Sequence, residues 1–209
     1  MTGDGRSAAL AILDVSRETE ARLDALVAHL GRWNAAINLV ARSTMASVWT
    51  RHILDSGQLF DLVPTGAQRW ADLGSGAGFP GLVIAVLAAE RAPGLRVTLV
   101  ESDLRKAEFL RRAARVCGVA VTVHARRIEA IAPLGADVVS ARALAPLVDL
   151  LGFAERHLRP GGSALFPKGA GHEAEIAAAL ERWRFSVQKH PSRTDPDSVV
   201  LRIGDIGRA

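Results

Sequence analysis

The chain has 209 residues, 49% of them hydrophobic, with a single cysteine and a formal charge of +4. That is enough apolar material for one domain with an appendage and too little for a second full domain. A lone Cys117 excludes an internal disulfide and points to a reducing compartment. No apolar run reaches the ~20 residues of a membrane span, and Met1-Thr2-Gly3-Asp4-Gly5 lacks a basic-then-apolar signal pattern, so a cytoplasmic protein is expected.

The charge is unevenly spread. Residues 1–40 hold four arginines against five acids, whereas residues 101–130 hold seven Arg or Lys against four acids, so a positive surface is expected on the second region. Leu23, Leu26, Val27 and Leu30 recur at helical spacing behind Ser16, Glu18 and Glu20, a plausible helix start. Residues 1–65 are therefore expected to form a small N-terminal helical cap on a domain spanning 66–209. In Arg51-His52-Ile53-Leu54-Asp55-Ser56, the two basic residues lie within a helical turn of Asp55, which fits an intrahelical ion pair as well as a functional cluster.

From Trp70 the pattern alternates. A strand to Leu73 is followed by a helix after Pro80, a strand Val97–Val100, a helix Leu104–Cys117 and a strand Val119–Val123. A strand Asp137–Ser140, a helix after Pro146, a turn at Arg159-Pro160-Gly161-Gly162 and a strand Ser163–Phe166 come next. A helix from Glu173 to Trp183 then precedes a terminal antiparallel pair, Phe185–Gln188 and Ser198–Ile203. This alternation predicts an α/β fold with a parallel sheet.

Asp72-Leu73-Gly74-Ser75-Gly76-Ala77-Gly78-Phe79-Pro80-Gly81 closes the first strand and opens a helix, and the neighbouring strand ends on Glu101. Glycines there let the backbone approach a ligand, the helix start offers free N–H groups, and Glu101 can accept both hydroxyls of a ribose. Gly76-x-Gly78-x-x-Gly81, with Glu101 twenty residues on, fits the dinucleotide fingerprint of a nicotinamide-dependent oxidoreductase. The register Asp72-x-Gly74-x-Gly76-x-Gly78 instead puts glycine immediately after the strand and fits the loop of S-adenosylmethionine-dependent methyltransferases. A bare strand-to-helix turn is the remaining reading.

By the rule that doubly wound sheets bind ligands at the carboxyl ends of their strands, three further places matter. Ile128 and Glu129, beside Arg127, can pack on and accept from an adenine; Arg142 ends the fourth strand; Lys168 follows the fifth. Arg105, Lys106, Arg111, Arg112 and Arg115 crowd one helix, as a solvated face or a phosphate-binding one. The six histidines have no partner at a metal-ligand spacing, so no metal is expected, and no Gly-x-Ser-x-Gly elbow signals a nucleophile.

Together, Trp33-Asn34 with Asn38-Leu39, Arg51 to Ser56, Asp72 to Gly81, Glu101-Ser102 with Phe109-Leu110, Arg127-x-Glu129, Arg142-Ala143 and Lys168-Gly169 resemble, in order, the bacterial 16S ribosomal RNA guanine-N7 methyltransferases, also called glucose-inhibited division protein B. The resemblance runs from about Trp33 to Gly169 and implies a seven-stranded Rossmann-like methyltransferase sheet with S-adenosyl-L-methionine as donor. It further implies, as acceptor, a guanine of 16S ribosomal RNA, bare or in the small ribosomal subunit. Carried onto this chain, Gly74 and Phe79 match cofactor-contacting positions, Ile128 and Glu129 the adenine-side pair, and Arg142 the strand-end arginine. Two departures stand out: Arg105-Lys106 replaces the usual Lys-Arg, and Ala141 separates Ser140 from Arg142 where many members run Ser-Arg-Ala.

On this reading Asp72, Gly74, Gly76, Gly78, Phe79, Glu101, Ile128, Glu129 and Arg142 serve the cofactor, with Arg142 also positioning the reacting base. Arg51, His52, Arg105, Lys106, Arg111, Arg112, Arg127 and Lys168 serve RNA, and the protein is expected to act as a monomer. The in-plane lone pair of guanine N7 attacks a sulfonium methyl without losing a proton, so positioning rather than a general base is the catalytic requirement. The rival expectations are methyl transfer to another acceptor, a nicotinamide-dependent oxidoreductase, and a cofactor-binding regulator without turnover.

Overall fold

The computed structural model describes residues 3–209. The β-rich runs form β1 (Arg69–Leu73), β2 (Arg96–Val100), β3 (Val121–His124), β4 (Ala136–Ser140), β5 (Leu158–Lys168), β6 (Trp183–Pro191) and β7 (Val199–Arg208). They build one seven-stranded sheet in the order β3-β2-β1-β4-β5-β7-β6. β1 to β5 run parallel, and β7 pairs antiparallel with both β5 and β6. Strand order reverses between β1 and β4, which opens a crevice at their carboxyl ends.

The helices are α1 (Gly3–Leu13), α2 (Arg17–Ile37), the single turn α3 (Asp55–Gly57), α4 (Gly81–Arg91), α5 (Leu104–Val116), α6 (Leu147–His157) and α7 (His172–Leu180). Alternate strand residues feed two cores. Trp70, Leu99, Val138 and Leu165 face α2, α4 and α5, whereas Ala71, Val100, Val139 and Phe166 face α6 and α7. The N-terminal helices thus share the core of the first face: Leu23, Leu26 and Leu30 of α2 are fully buried against the same cluster as Leu82, Ile84 and Phe109. Ser16 caps α2 by accepting from the Thr19 amide at 3.3 Å. Among the described residues, no helix is long and apolar enough to cross a membrane.

The terminal pair is longer than expected, β6 ending at Pro191 and β7 at Arg208, and the expected elements shift at three further places. β3 begins at Val121 rather than Val119 because α5 ends in a Schellman turn: Gly118 takes φ +64°, and the Val119 amide donates back to Ala114 O at 3.0 Å. Trp183, expected to end a helix, instead opens β6, where its indole N–H donates to Val148 O at 3.0 Å and its ring is buried. The turn Arg159–Gly162 lies within β5 as a bulge, since pairing with β4 jumps from Ala136 opposite Leu158 to Val138 opposite Ser163.

Gly81, the first residue of α4, packs directly on the sheet. A Cβ there would lie 2.3 Å from Leu99 Cδ2 and 2.8 Å from Asp72 Cβ. Gly81→Ala is therefore expected to cost about 1–3 kcal/mol through overpacking, read as a lower urea midpoint at unchanged m-value. A midpoint equal to the parent's would show that α4 can shift away from the sheet freely.

Candidate active site

A cleft of about 690 Å³ opens at the carboxyl ends of β1, β2 and β4. Its floor is formed by Gly74, Ser75, Gly76, Ala77 and Phe79, whereas Gly78, expected at the cofactor, does not line the cleft and packs against Leu82 and Leu110. Gly74, Gly76 and Gly78 take φ +65°, +53° and +85°, alternating with Ser75 and Ala77. The chain thus uses the register Asp72-x-Gly74-x-Gly76-x-Gly78, with glycine at the first position after β1. A Cβ on Gly76 would meet only Gly74 O, at 3.8 Å, so its α-carbon is open on the side where a ligand approaches.

Glu101 directly follows β2 and is 8% exposed. Its carboxylate accepts from Gly76 N at 2.9 Å and from Asp103 N at 2.8 Å, which ties the neighbouring strand to the glycine loop. Two of its roughly four lone-pair sites remain for a ligand. Val100, Ile128, Leu144 and Phe153 supply apolar walls, and Glu129 stands exposed at the rim. Leu39, Val40 and Thr44 reach over from the segment after α2, which is anchored where buried Asn34 accepts from Val40 N at 2.9 Å.

Asp72 does not line this cleft. Its carboxylate is fully buried beneath the loop, where Ser140 Oγ donates at 2.7 Å and Gly81 N at 3.2 Å. Burial pushes its pKa up to about 6 against the pull of these donors. It organises the loop from behind instead of presenting an acid to a ligand.

Arg142 lies between the cleft and a second, smaller one. Nη1 donates to Arg51 O at 3.1 Å and to Asp55 Oδ2 at 3.3 Å, and the guanidinium covers Phe79 at 5.3 Å. Nη2 donates to His52 Nδ1 at 2.9 Å. Because an arginine only donates, His52 Nδ1 must be the acceptor and Nε2 the protonated nitrogen, which donates to Thr44 Oγ1 at 2.9 Å. The His52 ring stacks on Phe79 at 5.0 Å, and burial together with Arg142 and Arg51 holds its pKa down at about 4.

Of the two readings of this motif, the intrahelical ion pair does not form. Trp49–Leu54 is a π-helix, whose i→i+5 bonding changes which side chains share a face. Asp55 bonds Arg142 and Thr194, while Arg51 extends toward Asp195 at 3.9 Å. Ala143, just past Arg142, takes φ +51°, an uncommon backbone for alanine, at the edge of the cleft.

The basic residues divide in two. Lys106, Arg126 and Arg127 line the cleft, whereas Arg105 does not line it and is 73% exposed beside Asp103. Arg111 and Arg112 both pair with Glu108, and they lie five and six residues beyond Lys106, about 8–9 Å further along a helix running away from the strand ends. Arg112 also covers Trp33 at 5.5 Å. Lys168 is 10% exposed and is engaged by Glu175 at 2.6 Å and Ala145 O at 3.2 Å, bracing β5 to α7. Asp55, Thr44, Leu144, Phe153 and Thr194 escaped sequence reasoning as site residues. Only Asp55 sat in a conspicuous motif.

Comparison with known proteins agrees with this architecture. The family model described as GidB, rRNA small subunit methyltransferase G, matches residues 19–196. The ribosomal RNA small subunit methyltransferase G of Ruegeria sp. (strain TM1040) is 54% identical over 196 residues, covering 94% of this chain and 95% of that protein. Its counterpart from Methylobacterium nodulans (strain LMG 21967 / CNCM I-2342 / ORS 2060) is 48% identical over 208 residues, 99% of this chain and 98% of that one. The crystal structure of a putative O-methyltransferase from Klebsiella pneumoniae shares the fold, with a TM-score of 0.61, 16% identity and 94% of each chain covered. With its glycine loop in the methyltransferase register and a family match running through almost the whole sheet, the chain belongs to the GidB family of rRNA small subunit methyltransferases G.

Proposed function

We propose that the protein methylates N7 of a specific guanine in 16S ribosomal RNA, with S-adenosyl-L-methionine as the methyl donor. It acts in the cytoplasm as a monomer, with residues 1–65 capping a methyltransferase domain of residues 66–209. The carrying observation is Glu101, a buried carboxylate held by Gly76 N and Asp103 N beside an open glycine floor. Those groups suit a nucleoside: two lone pairs for ribose hydroxyls, a close backbone, and Ile128 and Phe153 as faces for an adenine. The volume lies within the range of about 300–1,000 Å³ usual for such ligands.

Bound there, the donor supplies an electrophilic sulfonium methyl. The chain's own task is placement. Guanine N7 carries a lone pair in the ring plane and loses no proton, and the cleft has no base to offer at His52, whose Nδ1 is occupied by Arg142. Val100, Leu144 and Phe153 give that placement apolar walls. Arg142, at the boundary of the two clefts, orients the base. Since the major groove of A-form RNA is too narrow to enter, the guanine is presented from a loop or extruded.

The test is transfer of labelled methyl to small-subunit ribosomal RNA from cells lacking this gene, offered both bare and within subunits. Label at N7 of one guanine is expected. Protein that binds the donor yet labels neither form would overturn the proposal.

The exposed arginines at the rim carry the RNA contact. Removing Arg126 and Arg127 together to Ala is expected to raise the KM for RNA several-fold and to make its log–log salt slope shallower by about 1.5. Arg111→Ala with Arg112→Ala, away from the cleft and already paired with Glu108, is expected to change that slope less. Equal slope changes in the two double variants would sink this assignment.

A further inference from the structure

Beside the donor cleft lies a second one of about 220 Å³, below the range of drug-sized sites and on the scale of a single base. Thr44, His52 and Arg142 line both, so the two are neighbours across one wall. Asp55 lines only the second. Its Oδ1 is fixed by Thr194 Oγ1 at 2.9 Å and Gln58 Nε2 at 3.1 Å, whereas Oδ2 receives only Arg142 Nη1, at 3.3 Å. A lone pair on Oδ2 therefore remains open. Of the five N–H groups of Arg142, three are engaged, by Arg51 O, Asp55 and His52. Two have no partner among the described residues.

We propose that the second cleft receives the acceptor guanine and that the Asp55–Arg142 pair reads its N1–H and O6. This rests on the methyl-transfer reading above. Around a guanine the groups run N1–H, O6, N7: donor, acceptor, then the atom to be methylated. Across the wall the protein runs Asp55, Arg142, donor cleft: acceptor, donor, then the methyl source. The two orders match, so a base whose N1–H meets Asp55 and whose O6 meets Arg142 turns N7 toward the first cleft. Adenine reverses both polarities, setting its N1 lone pair against the carboxylate and its amino group against the guanidinium. The nearby charges are already matched, Arg51 with Asp195 and Lys168 with Glu175, which suits a neutral base better than a phosphate. Asp55 is then the specificity-determining residue, and the 2-amino group goes unread by the pair.

The test uses small subunits reconstituted with 16S ribosomal RNA carrying guanosine, inosine or 2-aminopurine riboside at the methylated position. All three keep N7, inosine keeps N1–H and O6, and 2-aminopurine lacks both. The wild-type protein is expected to methylate inosine within about threefold of guanosine and 2-aminopurine at least about 100-fold more slowly. Asp55→Asn keeps an oxygen for Thr194 and Gln58, so the fold should hold. It is expected to lower kcat/KM for guanosine and inosine by about 10- to 100-fold. Its carboxamide can donate to the bare N1 of 2-aminopurine, so that substrate should lose far less and the selectivity ratio should narrow. An equal loss on all three substrates would mark Asp55 as structural and overturn the proposal, as would rejection of inosine by the wild type. Failure of the wild type to label guanosine would overturn the methyl-transfer reading and this proposal with it.

Discussion

Glu101→Gln is expected to weaken S-adenosyl-L-methionine binding by about 10²- to 10³-fold, although it changes one atom and keeps the shape of the side chain. The reason is the polarity of its partners. Gly76 N and Asp103 N both donate to the carboxylate, one to each oxygen, at 2.9 and 2.8 Å. A carboxamide has one oxygen and one donor group, so it can satisfy one amide and must set its own N–H groups against the other. Ribose hydroxyls that donate to the carboxylate's remaining lone pairs lose charged acceptors as well, at about 1.5–3 kcal/mol each. Because the side chain is 8% exposed, water does not repair the mismatch. Calorimetric titration of the donor checks this, with thermal unfolding of the unliganded protein alongside it. Binding within about threefold of wild type would show that Glu101 only shapes the loop, since loss of affinity for a ribose requires the direct contact.

The groups that make this site differ in how far they could be read from sequence. The glycine loop and Glu101 were legible because backbone geometry imposes them locally: a chain turning from β1 into α4 beside a ligand needs positive φ at alternate positions, and Gly74, Gly76 and Gly78 supply it. The inner parallel strands β1, β2 and β4 were legible for a similar reason, being apolar runs buried on both faces of the sheet. Asp72 adjoins the loop and so fits a ligand acid by sequence, but nothing local reveals that the side chain points inward to Ser140, 68 residues away. Arg142 and Asp55 are 87 residues apart, and Asp55 and Thr194 are 139 apart. Their meeting depends on the sheet order and on the π-helix at Trp49–Leu54, neither of which has a composition signature. Trp183 shows the same limit for secondary structure, since its burial against α6 and β7 overrides the helical pattern that precedes it.

Asp72→Asn is expected to steepen a pH dependence of stability that the wild-type protein partly conceals. Asp72 titrates near 6 in the fold against an ordinary 3.8, because burial disfavours its charge. The native state therefore holds a proton that the unfolded chain has released between those values. Its contribution is complete below about pH 4 and is lost as pH rises through 6. His52 behaves oppositely. Burial, with Arg142 and Arg51 nearby, lowers it from 6.5 to about 4, so its contribution is complete above 6.5 and is lost as pH falls through 4. At about 1.4 kcal/mol per tenfold, each amounts to roughly 3 kcal/mol, and between pH 4 and 6 the two slopes nearly cancel. Removing the titrating group at residue 72 leaves the rise from His52 unopposed, so from pH 4 to 6.5 the variant should gain about 2–3 kcal/mol more stability than the wild type, whose own profile keeps only the rise contributed by the lowered His29 and His157. Urea midpoints at half-unit intervals provide the check, and a variant profile parallel to the wild type would show that Asp72 titrates at its ordinary value. A near-neutral pKa also has a consequence for the site. At pH 7 Asp72 is charged and lies under the loop, so it adds negative potential beneath a cleft suited to a cationic sulfonium; below pH 6 that potential disappears while the loop's hydrogen-bond frame persists. Donor affinity should accordingly fall through pH 6 in the wild type and lose that step in Asp72→Asn, which separates an electrostatic role for this carboxylate from a purely structural one.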